Sequence, residues 1–348
     1  MKSVNSMNDI AVALGVSRTT VSMSLSGKGE RYKIAPETVE RILAFATEHG
    51  FAPNVMAQSI GGARKRTVGF LVGMNYFSSK NHAMMSHAIS EFSKRDWGYY
   101  VSHFTKDNFS DAFVRMKGLG VVAVLALGSF TLTREIRRKI SAYTSGLPLY
   151  LIDYPFSGGD KERSGNVHRI GIERSTAYFN AFNALFAMGH KALLIDDYNV
   201  KIEAYSTVLT SRGQKNDEDC VIPFPSGDYI SNFERGCAML PEVLERLKRN
   251  KDITAISLHD DELAAGLVTA LLDAGISVPN DISVVGFDNI DASAHFRVPL
   301  SSIDVPVRKM VDVALGDICG ERVLKGDLVM DGHLILRNSV TSPATANA

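Results

Sequence analysis

The sequence is poor in cysteine, in long apolar stretches and in net charge, and each shortage excludes a class of protein. Its three cysteines, Cys220, Cys237 and Cys319, are far apart and have no ligand spacing, so neither a disulfide framework nor a zinc site is predicted. The longest apolar run, residues 119–127, is too short to span a membrane, and no apolar segment of signal-peptide length opens the chain. We therefore expect a cytoplasmic protein without a bound metal.

The rest of the composition predicts a folded protein. Hydrophobic residues make up 45% of the 348 positions, and 38 basic residues are balanced by 38 acidic ones. A chain of this length and composition can bury the cores of two or three domains. Residues 1–66 carry nine basic and five acidic residues, a small positive excess that becomes informative only together with a motif.

The first 50 residues predict three short helices. Ser6 and Ser17 are hydroxyl residues placed to cap the first two helices, which a glycine-containing turn separates. Val21 and Leu25, one helical turn apart, are expected to face inward from the second helix. Two short helices joined in this way form a helix-turn-helix unit, and a third helix over residues 36–50 completes a small core.

Residues 51–66 break this pattern and lead into a different one. The stretch NVMAQSI predicts a helix too short to be stable by itself, and GGARKRT is a flexible basic linker. From Thr67 onward, apolar runs alternate with amphipathic segments, which is typical of parallel sheets with helices on both faces. The roughly 280 remaining residues suffice for two such sheets.

Five stretches of the chain follow one another in a recognisable order. They are NDIAVALGVSRTTVS at 8–22, GFAPNVMAQSI at 50–60, AMGHKALLI at 187–195, VPNDISVVGFDN at 278–289 and VPLSSI at 298–303. In these stretches the sequence resembles the LacI/GalR family of transcription regulators. The resemblance implies an all-α helix-turn-helix headpiece, a hinge helix, and a periplasmic-binding-protein-like α/β core of two doubly wound parallel-sheet subdomains around an effector.

The resemblance also suggests where the parts begin and end. We expect a headpiece over residues 1–50 and a hinge helix with its linker over 51–66. The two core subdomains are each assembled from two segments, since the chain passes between them three times. We expect them at 67–162 with about 305–332, and at 163–304 with about 333–342.

The resemblance implies that the second helix reads DNA in the major groove. Arg18 can donate a fork of hydrogen bonds to guanine, and hydroxyls near the helix start suit phosphates and base edges. Met23 stands where relatives usually carry a basic residue; either it packs on the third helix, or, as we expect, it points toward bases and can contact a thymine methyl. The expected DNA-binding residues of the headpiece are Ser6, Ser17, Arg18, Thr19, Thr20, Ser22, Met23 and Ser26.

The stretch NVMAQSI is either a helical linker or, as the resemblance implies, a hinge helix that enters the minor groove. Asn54 is a plausible cap, and Ala57 and Ile60 share one face. Ile60 falls where relatives carry a leucine that wedges between base steps and kinks the duplex. Asn54, Ala57 and Ile60 therefore complete the expected DNA contacts.

In the core, the resemblance implies seven effector contacts, each of which also has a plain structural interpretation. Asp288 follows VVGF at the end of an expected strand, where open α/β sheets bind ligands. Lys201 replaces an arginine of many relatives and cannot reproduce its bidentate clamp. Carboxylates together with an aromatic ring suggest a polyhydroxylated ligand such as a saccharide. The expected contacts are Asn81, His82, Asp153, Lys201, Tyr229, Asp260 and Asp288.

Two other functions are weighed against a DNA-binding regulator. An α/β enzyme is disfavoured because the chain has no GxGxxG after a strand, no P-loop, no GxSxG and no HExxH, and no cofactor is expected. A solute-binding protein of the same core fold would need an export signal and would not use residues 1–60. A single headpiece contacts few base pairs, so a homodimer on a near-palindromic double-stranded DNA operator is expected.

Overall fold

The computed structural model describes residues 6–49, 66–73, 78–105, 107–128, 130–144, 146–156, 166–215, 217–227, 229 and 231–343. The chain divides into two compact units, residues 1–66 and 67–348. In the described ranges, no helix is long and apolar enough to cross a membrane. No group of three or more His, Cys, Asp or Glu side chains there could hold a metal ion.

The first unit is a bundle of three helices around a small apolar core. Ile10, Val21 and Ile42, one from each helix, are fully buried, and Leu25 is half-buried against them. The predicted inward face of the second helix is therefore confirmed. The helices are α1 (Met7–Leu14), α2 (Arg18–Leu25) and α3 (Pro36–Glu48).

Local capping explains why α1 and α2 are separate helices. Ser6 and Asp9 form a reciprocal capping box, in which each side chain accepts a hydrogen bond from the other residue's backbone N–H. Gly15 ends α1 in the left-handed conformation, with φ of 66°, which glycine adopts without steric cost. Ser17 then caps α2. The helix-turn-helix prediction is confirmed.

The second unit contains two six-stranded sheets, and the first of them is parallel throughout. Its strand order is β11-β5-β4-β3-β1-β2. Its strands are β1 (Thr67–Gly73), β2 (Gly98–Phe104), β3 (Ala123–Leu127), β4 (Leu149–Phe156), β5 (Val167–Glu173) and β11 (Leu328–Met330). Its helices are α4 (Ser79–Lys94), α5 (Phe109–Gly118), α6 (Arg134–Thr144) and α12 (Val307–Ile318).

The second sheet repeats this plan, with one antiparallel edge strand. Its order is β12-β10-β9-β8-β6-β7, and only the pairing of β10 with β12 is antiparallel. Its strands are β6 (Ala192–Asp196), β7 (Val221–Ile222), β8 (Ile253–Ser257), β9 (Ser283–Asp288), β10 (Ser301–Asp304) and β12 (Leu334–Ile335). Its helices are α7 (Arg174–Ala187), α8 (Asn199–Ser211), α9 (Asn232–Ala238), α10 (Leu240–Arg249) and α11 (Asp261–Asp273).

Helices cover both faces of the sheets, as the near-continuous apolar strands predicted. Along β1, Phe70 and Leu71 are fully buried in different apolar clusters, because successive side chains point to opposite faces. The expected fold class is confirmed. We call each sheet with its helices a subdomain.

One subdomain limit differs from the expectation. We expected residues 163–304 in the second subdomain, but β5 pairs in parallel with β4 of the first sheet, from Val167 opposite Leu149 onward. The chain therefore changes subdomain after Glu173 rather than after residue 162. An apolar strand fits either sheet equally well by its sequence, so its pattern could not decide which sheet it joins.

Candidate functional site

The first turn of α2 presents a polar end to solvent. The Thr20 backbone N–H donates to the Ser17 hydroxyl at 3.0 Å, and the two hydroxyl oxygens lie 2.8 Å apart. The side chains of Arg18 and Thr19 are exposed. Such a helix end can contact phosphates and base edges without losing contacts inside the protein.

The other expected headpiece contacts lie on or near the same helix. Ser22 and Met23 are half-buried, and Ser26 is exposed with its hydroxyl donating to the Met23 carbonyl at 3.2 Å. Met23 is not among the half-buried side chains that pack on the headpiece core in the described part of the chain. Ser6 is half-buried at the start of α1.

The predicted hinge contacts cannot be placed. Asn54, Ala57 and Ile60 lie outside the described residues.

In the second unit, buried charged side chains meet between the two sheets. Lys80 Nζ lies 2.8 Å from Asp153 Oδ2 and 2.6 Å from Asp288 Oδ1. Arg174 Nη2 lies 3.0 Å from the other oxygen of Asp153. Asp153 belongs to β4 of the first sheet and Asp288 ends β9 of the second. We call Lys80, Asp153, Arg174 and Asp288 the bridging cluster.

Sheet topology places Lys80 at a point where α/β sheets commonly bind ligands. In each sheet the strand order reverses beside one strand, β1 in the first and β6 in the second, and open α/β sheets bind ligands at the carboxyl ends of the strands at that point. Lys80 lies after β1, in the first turn of α4. A cavity of about 230 Å³ beside the cluster is lined partly by Lys80 and Asp288.

Both aspartates of the bridging cluster have unusual backbone conformations. Asp153 has φ of 63° at a register shift in β4, and Asp288 has φ of 103°, followed by Asn289 at 51°. Non-glycine residues rarely adopt positive φ, and such strain concentrates at functional sites. The backbone turns here aim two carboxylates into one cleft.

The strained turn at Asp288 and Asn289 is held by buried hydrogen bonds. Asp261 accepts from the backbone N–H of Ile290 at 2.9 Å and from the Ser302 hydroxyl at 2.6 Å. The same hydroxyl accepts from the backbone N–H of Asn289 at 2.9 Å. Asp261 thus positions the turn that presents Asp288, and burial raises the pKa of its carboxyl to about 7.

The charges of the bridging cluster shift one another's pKa values. Burial alone would lower the pKa of the Lys80 ammonium, but Asp153 and Asp288 outweigh burial and raise it. Burial raises the pKa of the Asp288 carboxyl to about 6, against the opposing effect of Lys80 and with support from the Asp260 and Asp153 charges. Lys80 is therefore a firmly protonated cation at neutral pH.

Lys201, which we expected to contact the effector, does not belong to the bridging cluster. Its side chain is fully buried in the second subdomain, where it pairs with Asp196 and donates to the Ser257 carbonyl at 3.1 Å. His259 contacts the other Asp196 oxygen. Burial alone would raise the pKa of the Asp196 carboxyl, but Lys201 and His259 outweigh burial and hold that pKa at about 2. We call Lys201, Asp196 and His259 the inner cluster.

The remaining expected effector contacts differ in their burial and in the residues that they contact. Asn81 is buried close to the backbone of Gly128, and His82 is exposed. Asp260 is 7% exposed and caps α11 through the backbone N–H of Leu263. Tyr229 is half-buried, and the centroid of its ring lies 5.7 Å from Arg235 Cζ. The structure therefore joins Asp153 and Asp288 in one cluster but does not place all seven residues together.

Sequence analysis missed four titratable residues of these clusters. Arg174 and Asp196 lie where strands end, a signal that was present in the sequence. Lys80 and His259 immediately precede Asn81 and Asp260, which were selected. Their roles depend on contacts between residues distant in sequence, and spacing does not reveal such contacts.

Together, the two units define a helix-turn-helix protein with a periplasmic-binding-protein-like core. Residues 6–54 match the family of bacterial regulatory proteins named after LacI, and residues 218–340 match a periplasmic binding protein-like domain. The HTH-type transcriptional regulator AscG of Escherichia coli K12 is 26% identical over 361 aligned residues, covering 98% of this chain and all of that protein. The chain thus combines a LacI-type helix-turn-helix domain with a periplasmic-binding-protein-like domain, and the relatives it resembles are LacI-family transcription regulators.

Solved structures agree in fold. The lac repressor dimer bound to operator and the anti-inducer ONPF has a TM-score of 0.73 at 20% identity, covering 97% of this chain and 99% of that one. A complex of the transcriptional regulator CelR with cellobiose has a TM-score of 0.58 at 22% identity, covering 97% and 100% of the two chains.

Proposed function

We propose that this protein is a repressor that binds a near-palindromic DNA operator as a homodimer and releases or gains that operator when a small molecule occupies the cleft of its core. The observation that carries the proposal is the exposed polar end of α2 in a capped helix-turn-helix unit. An α-helix fits the major groove, and its N-terminal residues contact base edges. Because operator DNA lies in the cytoplasm of bacteria, the protein acts there.

In this proposal the contacts divide into two groups. Arg18 and Met23 read bases, since a guanidinium fork suits guanine and a thioether suits a thymine methyl. The hydroxyl side chains bind phosphates and fix the register. Ser6, Ser17, Thr19, Thr20, Ser22 and Ser26 form this second group.

The hinge segment adds a third kind of contact. Asn54 caps a short helix that forms on DNA, and Ala57 and Ile60 face the minor groove. Ile60 is the wedge that opens a base step and bends the duplex. A short helix needs such an outside partner to become ordered.

The effector in this proposal is a saccharide or a related small molecule. Asp153 and Asp288 meet between the subdomains, and carboxylates accept hydrogen bonds from several hydroxyls at once. Asn81, His82, Tyr229 and Asp260 are proposed as further effector contacts, and Lys201, which is fully buried against Asp196, is proposed to support the cleft from within the second subdomain. A related fold with bound cellobiose supports a sugar.

Selection of bound sequences from a random DNA library by the full chain tests the function. We expect a two-fold symmetric consensus and an affinity that falls steeply with salt, because each phosphate contact releases counterions. Arg18→Ala should weaken binding by about 1–3 kcal/mol and relax the preference at one base pair in each half-site.

Arg138→Ala, which removes an exposed arginine of α6 in the core, is the control and should leave the affinity unchanged. Recovery of no symmetric consensus, with and without candidate sugars, would contradict the proposed function. Equal effects of Arg18→Ala and Arg138→Ala would contradict the assignment of α2.

A further inference from the structure

One ammonium group ties the two subdomains together. Lys80 Nζ contacts Asp153 of the first sheet at 2.8 Å and Asp288 of the second at 2.6 Å. The three side chains are at most 8% exposed. The contact is therefore made away from bulk water, where charge pairing is strong and an unpaired charge is costly.

A second contact holds the same helix end against the second subdomain. The Ser79 backbone N–H donates to Glu262 Oε1 at 3.1 Å, and the Ser79 hydroxyl donates to the same oxygen. Glu262 lies in the first turn of α11. The start of α4 thus meets the second subdomain at two adjacent residues, so the protein's own side chains bridge the cleft.

The Lys80 ammonium occupies a place where a ligand is expected. Lys80 follows the strand beside which the first sheet reverses its order, and small molecules bind α/β sheets at such points. Its partners Asp153 and Asp288 have positive φ, a strain that clusters at ligand-binding sites. An internal side chain therefore fills a site with the features of an external ligand's site.

The charges around that place restrict what can replace Lys80. Arg174 remains beside Asp153, but Asp288 has the carboxylates of Asp260 and Asp153 as neighbours. A ligand that brings a positive charge preserves the balance of this buried region. A neutral or anionic ligand would remove the ion pair of Asp288 with Lys80 and leave only Arg174, which pairs with Asp153, to offset two buried carboxylates, and this is costly.

We propose that the cleft takes a small molecule bearing a protonated amine, such as an amino sugar, and that Lys80 holds the position of that amine when no ligand is bound. The inference rests on the proposed function in taking this cleft as the effector site. It narrows the effector from saccharides in general to molecules whose ammonium group replaces that of Lys80.

A fixed cross-link between the subdomains would give the same distances. The two interpretations differ once the side chain is shortened. Lys80→Ala removes three carbons and the ammonium nitrogen, which together match n-propylammonium. An amine-binding site has enough affinity to take up this free cation between Asp153 and Asp288, whereas a fixed cross-link depends on the high effective concentration that its tether provides, so its carboxylates do not take up the free amine.

Thermal unfolding of the full chain with n-propylammonium chloride, 1-propanol or potassium chloride at equal concentration tests the proposal. We expect propylammonium to raise the Tm of Lys80→Ala by about 2–4 °C more than that of the wild type. The alcohol and the salt should produce no such difference. Lys94→Ala, which removes an exposed lysine of the same helix, should respond like the wild type.

Equal responses of Lys80→Ala, Lys94→Ala and the wild type to propylammonium would overturn the proposal, and so would equal effects of the amine and the alcohol on Lys80→Ala. If Lys80→Ala does not fold, Lys80→Ser carries the same comparison, because its hydroxyl can still donate to one of the carboxylates.

The experiment contains no DNA, so it separates this inference from the proposed function. Stabilisation of Lys80→Ala by the amine without any operator binding would support the amine site and contradict the proposed regulatory function. Operator binding without stabilisation of Lys80→Ala by the amine would support the proposed function and contradict the inference that the effector carries an amine.

Discussion

Two buried lysines of the core, Lys80 and Lys201, make similar contacts with opposite consequences. Each ammonium group pairs with buried aspartate, and each side chain is at most 8% exposed. Lys201 finds its partner Asp196 and the Ser257 carbonyl within one subdomain. Lys80 finds its partners in two subdomains.

The difference shows that burial and pairing alone do not define a role. An ion pair inside one subdomain breaks only when that subdomain unfolds, so the inner cluster contributes to stability. An ion pair across a cleft breaks if the subdomains separate, so we expect the bridging cluster to favour the closed arrangement. Ligands shift such an equilibrium by their differential affinity for its two states.

Replacement of Lys201 should have the largest effect on stability. Lys201→Met leaves Asp196 buried with only the His259 ring as a side-chain partner in the cluster, and loss of one partner of a buried pair costs about 3–5 kcal/mol. We expect this loss in the free energy of unfolding of the core, measured in urea. Lys191→Met, at a lysine 75% exposed, should unfold like the wild type.

A loss below about 1 kcal/mol in Lys201→Met would break the comparison, because Lys201 would then not be an essential part of its subdomain.

Replacement of Lys80 should cost less stability and change the cleft more. In Lys80→Met we expect a loss of about 1–3 kcal/mol, because Arg174 still pairs with Asp153 and opening of the cleft lets water reach Asp288. The distance between spin labels on the two subdomains, measured by pulsed electron spin resonance, should be longer than in the wild type. Lys201→Met, under conditions where it is folded, should keep the wild-type separation.

The third prediction concerns the pH dependence of stability, which should distinguish the bridging cluster from the inner cluster. The pKa of Asp288 is raised from 3.8 to about 6, so the folded state binds the proton more tightly than the unfolded state. This carboxyl therefore adds stability as the pH falls through 6, and its contribution is lost as the pH rises again; between pH 8 and pH 5 the gain is about 1 kcal/mol.

Asp288→Asn should remove that gain while the rest of the pH profile persists. Lys80, Asp153, Asp260 and Arg174 face the same carboxyl, and none of them is replaced in this variant. The measurement is the Tm difference between pH 8 and pH 5, compared between Asp288→Asn and the wild type. Identical differences in the two proteins would show that Asp288 does not titrate as stated.

The smallest effect is expected at an exposed lysine of the same helix as Lys80. Lys94 pairs with Glu91 at the protein surface, where its side chain is 65% exposed, and such pairs contribute little because water screens them. Lys94→Met should show the wild-type urea midpoint and the wild-type cleft separation. A shift comparable to that of Lys80→Met would mean that charge on α4, rather than its position in the cleft, is what matters.

The headpiece and the layered core were predictable from the sequence because their signals are local. Ser6 and Gly15 bound a helix by capping alone, and the apolar strands indicated covered sheets without any knowledge of their partners. The first subdomain limit was not predictable, since β5 could pair in either sheet.

The bridging cluster was only half predictable. Asp153 and Asp288 were selected by resemblance, but Lys80 was not, because its contact with Asp288 joins residues 208 positions apart. Lys201 was selected as a ligand contact and is instead enclosed with Asp196. Which charges pair inside a folded core depends on side-chain packing, which periodicity does not contain.

The most direct test of the account is the operator affinity of Lys80→Met, with Lys94→Met as its control, measured by fluorescence anisotropy on the selected consensus. If the charge bridge across the cleft sets the DNA-binding state, Lys80→Met should differ from the wild type by at least about fivefold, the lower end of typical allosteric couplings. Lys94→Met should match the wild type. Operator affinities within twofold of one another in all three proteins would contradict the account.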